Sequence, residues 1–328
     1  MMPLRYHRAS DVDDAVATMT AEPNAAFLAG GTNLVDHLGL GITAPDLLVD
    51  VTRLPLGEID RTGDGGLRIG AMARGADVAA YEDVRREYPM LARALLSAAS
   101  PQLRNLATTG GNLMQRTRCG YFQDSSTPCN KREPGTGCSA LGGFTRYHAI
   151  LGASRHCIAT NPSDMAVALA ALDAVVIVVG PDGQRTIPVV DFHRLPGDEP
   201  AVDTVLGRDE LIVAVELPPP VPGAVGTYRK VRDRASYAFA IVSVAAEVAT
   251  AGGRVTSARI ALGGVAHKPW RARAAEEFLL AGDDSGDDLL RGAAAAELAA
   301  AHPVPGNEFK VDLAARTLRA TLREVLAS

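Results

Sequence analysis

All four cysteines of this 328-residue chain, Cys119, Cys129, Cys138 and Cys157, lie in one short stretch, and the long segments on either side supply no other thiol. That concentration constrains the fold more than any other feature, because the segment must close on itself for the sulfurs to share one locality. Thiolates are preferred ligands of zinc and of iron–sulfur clusters, and a cubane [4Fe-4S] cluster takes four of them. The gaps of nine, eight and eighteen residues lack the two-residue clips of zinc ribbons and bacterial ferredoxins, so a looping backbone has to gather the ligands. Gly120, Pro128, Asn130, Pro134, Gly135, Gly137, Gly142 and Gly143 break any helical or strand period between Arg116 and Gly143. Long loops in compact domains are commonly functional or disordered, and a bound cofactor is one way to order them. On the residues alone three other readings stay open. These are two disulfides, which reducing compartments disfavour, a structural zinc with His148 and His156 as spare ligands, and thiols without any ligand.

With 47% hydrophobic and 22% charged residues, the chain is globular and long enough for two or three domains with their own cores. A net charge of −5 and the lack of any long Lys/Arg run exclude an electrostatic footprint for nucleic acid or an anionic membrane. The N-terminal Met1-Met2-Pro3-Leu4-Arg5-Tyr6-His7 has no apolar signal core, and the most apolar stretch, 165–180, is short and interrupted by Asp173. No membrane insertion and no export signal of its own are therefore expected. The location is the cytoplasm, or the periplasm if a partner carries the export signal.

Ser10 with Asp11 and Asp13 ahead of Val12, Ala15, Val16 and Met19 predicts a capped amphipathic helix. Strands are expected at 26–29, 47–51 and 67–70, and helices near 76–81 and 90–99, giving a strand-poor, alternating α/β first half. A helix through Leu172 leads into the strand 174–179, which ends at the turn Gly180-Pro181-Asp182-Gly183; strands at 187–189 and 210–217 follow. The run Pro218-Pro219-Pro220-Val221-Pro222-Gly223 predicts a linker. Beyond it, 241–248 and 255–263 predict an antiparallel pair, followed by helices over 271–301 and 312–325.

Two glycine turns form the second chemical feature. In Leu28-Ala29-Gly30-Gly31-Thr32-Asn33-Leu34, between a strand and a helix, the glycines permit close backbone approach, so that N–H groups can converge on an anion such as a pyrophosphate. This is neither the dinucleotide fingerprint nor the phosphate loop of nucleotide hydrolases. A second turn, Ala107-Thr108-Thr109-Gly110-Gly111-Asn112-Leu113, precedes the cysteine loop. Two anion cradles beside a redox cluster suggest a dinucleotide that passes electrons.

Together with Asn161-Pro162-Ser163-Asp164-Met165, Leu169-Ala170-Ala171-Leu172-Asp173-Ala174 and Tyr228-Arg229-Lys230-Val231-Arg232, these turns resemble the FAD-binding subunits of molybdenum hydroxylases, the xanthine dehydrogenase family, nearly end to end. The stretch from Met114 to Pro162 is an insertion relative to most members. Its Arg116-Thr117-Arg118-Cys119, Cys129-Asn130-Lys131-Arg132 and Gly137-Cys138 are similar to the periplasmic aldehyde oxidoreductase branch, whose extra loop carries a [4Fe-4S] cluster. The resemblance implies an α+β fold, with a two-lobed FAD-binding domain of PCMH type at 1–220, a [4Fe-4S] loop inserted at about 114–160, and a smaller domain of antiparallel sheet plus helices at 224–328. It implies FAD contacts from Ala26, Phe27, Leu28, Ala29, Gly30, Gly31, Thr32, Asn33 and Leu34 at the pyrophosphate, with Asn33 a side-chain donor. It adds Thr108 and Gly111, Asp164 at an adenosine ribose hydroxyl, Ile212 against the flavin and Lys230 near its polar edge. Ordinary alternatives for these positions are a turn residue at Thr108, a helix N-cap at Asp164, strand core at Ile212 and a solvated charge at Lys230.

The implied activity is that of an oxidoreductase subunit in a heterotrimer. A molybdopterin-binding large subunit oxidises an aldehyde, a [2Fe-2S] small subunit relays electrons, and FAD here passes them to an external electron acceptor. No general acid/base pair stands out, so no catalytic residue for the organic substrate is assigned. The rival readings are a zinc-stabilised, non-catalytic docking module and a redox sensor.

Overall fold

A computed structural model describes residues 4–327. Met1, Met2 and Pro3 of the expected first domain and signal-free N-terminus, and Ser328 of the second domain, lie outside the described residues. The architecture is α+β, with twelve strands in three sheets among the described residues.

The first lobe is a small parallel sheet in the order β1-β3-β2, formed by β1 (Arg5–Arg8), β2 (Ala25–Leu28) and β3 (Leu47–Asp50). The helix Val12–Ala21 connects β1 to β2, which flank β3 and both run parallel to it. Its cap is Asp11, whose carboxylate accepts from the Asp14 amide at 2.8 Å, rather than the expected Ser10.

The second lobe is a five-stranded antiparallel sheet of β4 (Ile59–Arg61), β5 (Leu67–Gly70), β6 (Val175–Gly180), β7 (Gly183–Pro188) and β8 (Leu211–Leu217), in the order β4-β5-β8-β6-β7. The alternating α/β expectation for this half is therefore corrected: most of its strands pair antiparallel, across sequence gaps that local periodicity cannot reveal. The Gly180–Gly183 hairpin is as expected, with Gly183 at φ +96° where only glycine is at ease. The segment 218–223 carries neither helix nor strand.

The C-terminal sheet runs β12-β11-β10-β9, from β9 (Val225–Val231), β10 (Val242–Ala251), β11 (Arg254–Gly263) and β12 (Trp270–Arg271). The predicted antiparallel pair is its centre. Helix Phe309–Leu326 lays Ala314, Leu318, Leu322 and Val325 on it, a helical stripe that buries one face. Every residue of helix Asp164–Ala171 is buried, because it is wedged between the five-stranded half and the C-terminal sheet, with Ala245 and Ala261 in the same core. A helix covered on all sides must be apolar all round, which explains its run of Ala, Val, Leu and Met.

Candidate functional site

The two glycine turns meet. A Cβ on Gly30 would fall 2.1 Å from the carbonyl oxygen of Leu106, so only glycine lets the first turn lie against the second. Gly31 sits at φ +70°. Among the described residues, the amides of Gly30, Gly31, Thr32 and Asn33 donate to no protein acceptor, whereas buried or half-buried amides normally have one. The second turn differs. Its Thr109 and Gly110 amides donate to the carbonyls of Ala73 and Ala71 at 2.9 and 2.8 Å, and that of Gly111 donates to Thr108 Oγ1 at 3.2 Å. The free donors of the pair are therefore on the first turn. The second supports it, with Thr108 capping the short helix Thr109–Leu113 and keeping its hydroxyl proton to donate.

A cavity of about 380 Å³ opens over the first turn, lined by Ala26, Phe27, Ala29, Gly30, Gly31, Thr32, Asn33, Leu34, Thr108, Gly111 and Ile212. Leu28 lies half-buried in β2 below it. The Asn33 side chain is already engaged: its oxygen accepts from the Arg116 amide at 2.9 Å, and its nitrogen lies 3.1 Å from His37 Nε2. Burial and then the charges of Arg116 and Arg118 push His37 down to about 4, so the ring is neutral and accepts from Asn33. Asn33 thus joins the glycine turn to the start of the cysteine loop, a role with no local sequence signal.

A second cavity, of about 700 Å³, adjoins the first across consecutive residues, since Arg116 lines one and Thr117 the other. Its wall includes Arg118, Cys119, His148, Ser163, Asp164 and Phe239. Ile212 and Asp164, both expected at the flavin nucleotide, therefore face different cavities. Asp164 is the first residue of its helix, and Ser163 is the cap, accepting from the Ala166 amide at 2.9 Å. The Asp164 carboxylate takes Lys230 Nζ at 2.7 Å and the Tyr228 hydroxyl at 2.5 Å. With side chains 3% and 4% exposed, Lys230 and Asp164 are a buried ion pair rather than a solvated charge beside a cap. Lys230 also donates to the Ser97 carbonyl at 3.1 Å and lines neither cavity. Arg118 has no carboxylate partner among the described residues; its guanidinium lies 5.1 Å from the Phe239 ring centre, and burial lowers its pKa. A half-buried guanidinium on a cavity wall, with no ion-pair partner among the described residues, favours an anionic occupant.

The loop brings Cys119 into electrostatic reach of Cys129 and Cys138, and Cys157 into reach of Cys138 and Cys119; none is disulfide-bonded. Cys129 and Cys138 pair as an isolated antiparallel bridge, and Cys157 closes a tight turn with Ser154. Asn130 Oδ1 accepts from the amides of Gly135 and Gly137 at 3.2 and 2.8 Å, shaping the turn between the middle two cysteines. Burial raises the Cys119 thiol, with the neighbouring Cys129 and Cys138 adding to the effect, and pushes Cys157 up to about 12. Without metal these are protonated thiols, so cations that bind them must displace protons. Among the described residues, no three His, Cys, Asp or Glu side chains converge to hold a single metal ion. A cubane distributes its four thiolates over four irons. His148, a spare ligand in the zinc reading and otherwise a structural residue, lies with Nε2 3.2 Å from Cys119 Sγ.

The loop is tied to both halves. Lys131, 2% exposed, donates to the Pro200 carbonyl at 2.8 Å and pairs with Asp203. Arg116 reaches the same carboxylate at 2.8 Å. Burial alone would raise the Asp203 pKa, but His267, Lys131 and Arg116 outweigh it and hold the carboxylate below its usual range. On the other side, Ile150 and Leu151 donate to the Val265 carbonyl at 2.8 and 3.0 Å. Fully buried Lys310 donates to the carbonyls of His148 and Gly264 at 2.7 and 2.5 Å.

Residues 2–220 match the family described as the FAD binding domain in molybdopterin dehydrogenase, and residues 226–325 match the CO dehydrogenase flavoprotein C-terminal domain. The aldehyde oxidoreductase FAD-binding subunit PaoB of Escherichia coli is 53% identical over 328 residues, covering 100% of this chain and 99% of the relative. The glyceraldehyde dehydrogenase medium chain of Sulfolobus acidocaldarius is 27% identical over 87% of this chain and 84% of its own. A solved structure of carbon monoxide dehydrogenase from Hydrogenophaga pseudoflava superposes with a TM-score of 0.78 at 27% identity, covering 100% of this chain and 99% of that one.

Proposed function

The chain belongs to the FAD-binding family of molybdopterin dehydrogenases, and from that premise we propose that it is the FAD- and [4Fe-4S]-containing electron-transfer subunit of a molybdenum-dependent aldehyde oxidoreductase. The observation that carries this reading is the run of acceptor-less amides at Gly30–Asn33 over one cavity, next to a loop that carries four free thiols. The amides suit a pyrophosphate, and the thiols suit a cubane. Bound FAD would supply two-electron acceptance coupled to one-electron exchange with iron–sulfur centres.

The chain's own residues bind and orient. Thr108 donates to a phosphate or ribitol oxygen, Ile212 packs in the cavity of the first turn, and Arg118 offers positive charge to whatever anionic group enters the larger cavity. The Asp164–Lys230 pair, with Tyr228, braces that cavity's floor. Cys119, Cys129, Cys138 and Cys157 hold the cluster. The two domains meet at the proline run 218–223, with the cluster loop inserted in the first. In the assembled heterotrimer, a molybdopterin-binding subunit oxidises the aldehyde and a [2Fe-2S] subunit delivers its electrons here for an external acceptor. The name of the 53% identical relative supports the aldehyde and the FAD.

The test is iron, zinc and FAD stoichiometry on the complex purified without oxygen. About four irons beyond those of the [2Fe-2S] subunit, with one FAD per chain, are expected. Zinc in their place would favour the docking-module reading, for which the imidazole of His148 beside Cys119 is the one supporting contact. Absence of flavin would sink the oxidoreductase assignment.

A further inference from the structure

We propose that His148 is a hydrogen-bond donor to the sulfur of Cys119 and thereby sets the reduction potential of the cluster, an inference that rests on reading the four-cysteine loop as a cluster site. His148 is 6% exposed, and its Nε2 lies 3.2 Å from Cys119 Sγ, within hydrogen-bond reach of a sulfur acceptor. Its Nδ1 is buried without a partner, so the sulfur is the ring's one hydrogen-bonding contact among the described residues.

The backbone of His148 is fixed more firmly than a loop position needs. Its amide donates to the Thr145 carbonyl at 2.8 Å, and its carbonyl accepts from Lys310 Nζ at 2.7 Å and from Asn307 Nδ2 at 3.3 Å. Lys310 and Asn307 are both fully buried and come from the C-terminal domain. The ring is therefore pre-positioned by an element outside the cysteine loop, as partners that orient a metal ligand commonly are.

The chemistry assigns the proton. A neutral imidazole carries one N–H, and a ligated thiolate only accepts, so the N–H faces sulfur and the Nδ1 lone pair faces the empty side. The four cysteines already complete a cubane, which leaves His148 as donor rather than ligand. Adding an electron puts more negative charge on the cluster sulfurs, so a hydrogen bond to Cys119 strengthens on reduction and favours the reduced state.

The experiment uses the complete complex with His148→Phe, which keeps a ring and removes the donor, and His148→Gln, which keeps an N–H. The cluster's midpoint is read by a dye-mediated titration followed by EPR. With iron content unchanged, His148→Phe is expected to lower the reduction equilibrium constant about tenfold, a fall of about 59 mV for one electron, and His148→Gln to recover part of it. Pulsed EPR of the reduced wild-type cluster, which needs no variant, should show a weak, non-ligand nitrogen coupling. Equal potentials in all three proteins, no nitrogen coupling, or the strong coupling of a coordinated nitrogen would each overturn the proposal. Wild-type complex without the additional iron would instead bring down the cluster reading beneath it.

Discussion

At Gly30 the decisive quantity is a distance between two backbones. A methyl there would meet the Leu106 carbonyl oxygen at 2.1 Å and its carbon at 3.0 Å, and neither belongs to a flexible side chain. Gly30→Ala therefore has to push the first turn off the second, at a cost of about 1–3 kcal/mol by the usual penalty for overpacking. The displaced amides no longer converge, so FAD per chain is expected to fall steeply along with the denaturation midpoint. Flavin absorbance against protein concentration checks the first, and urea unfolding the second. Full flavin loading with unchanged stability would show that the contact is not needed. These glycines alone read equally well as a plain tight turn; it was the second glycine turn, ahead of the cysteine loop, that made them legible as a site. The partners of the polar residues were not. Asn33 bonds to Arg116 across 83 positions, and Asp164 finds Lys230 across 66, so nothing local announces either. Lys230 read alone as a solvated charge; its burial follows from the C-terminal sheet closing over helix Asp164–Ala171.

At the scale of elements, helix Phe309–Leu326 grips the cysteine loop through one buried cation. Lys310 is held down to about 7 by burial, against 10.5 for an unburied lysine. Below pH 7 both folded and unfolded chains carry the proton, and folding bears the whole cost of burying the charge. Between 7 and 10.5 the unfolded chain binds a proton that the folded one has shed, so stability rises with pH, by up to about 1.4 kcal/mol per unit. Cys157 works in the opposite sense: its thiol, pushed up to about 12 from 9.0, makes folding less favourable only above pH 9. The window that isolates Lys310 is therefore pH 7 to 9. Denaturation midpoints of the full chain should climb across it, and Lys310→Met should flatten that climb; parallel slopes in the two proteins would locate the pH dependence elsewhere. The turns of this loop could be read from its glycines and prolines. Its tethers could not, since Lys131 and Lys310 become interior groups only because carbonyls and a carboxylate from distant segments surround them. The antiparallel sheet of the first half was hidden for the same reason, as β5 and β6 both pair with β8 from far along the chain.

Across the whole molecule, the glycine-turn cradle and the cysteine loop are built differently enough to be separated. The cradle rests on β2, on the second glycine turn and on the end of β5, through contacts that involve none of the cysteines. The loop meets it at Arg116, held by Asn33, while Cys119 stands in the wall of the larger, adjoining cavity. Cys129 sits in the bridge with Cys138 and lines neither cavity. Substituting it by serine removes one thiolate and leaves the cradle intact. In the assembled Cys129→Ser complex, about four irons should be lost relative to the wild type, while FAD stays near one per chain. Hydrogen exchange should quicken over 120–157, because metal binding and local folding are coupled. Reduction of the flavin by aldehyde, followed at its absorbance band, then decides what the cluster does. If the rate of that step persists while turnover with the external acceptor fails, the cluster lies downstream of the flavin, on the way out. If flavin reduction fails while FAD remains bound, it lies upstream. Loss of FAD together with iron would mean that the loop is a prop for the flavin cavity, and the separation argued from Asn33, Arg116 and Cys119 would be wrong.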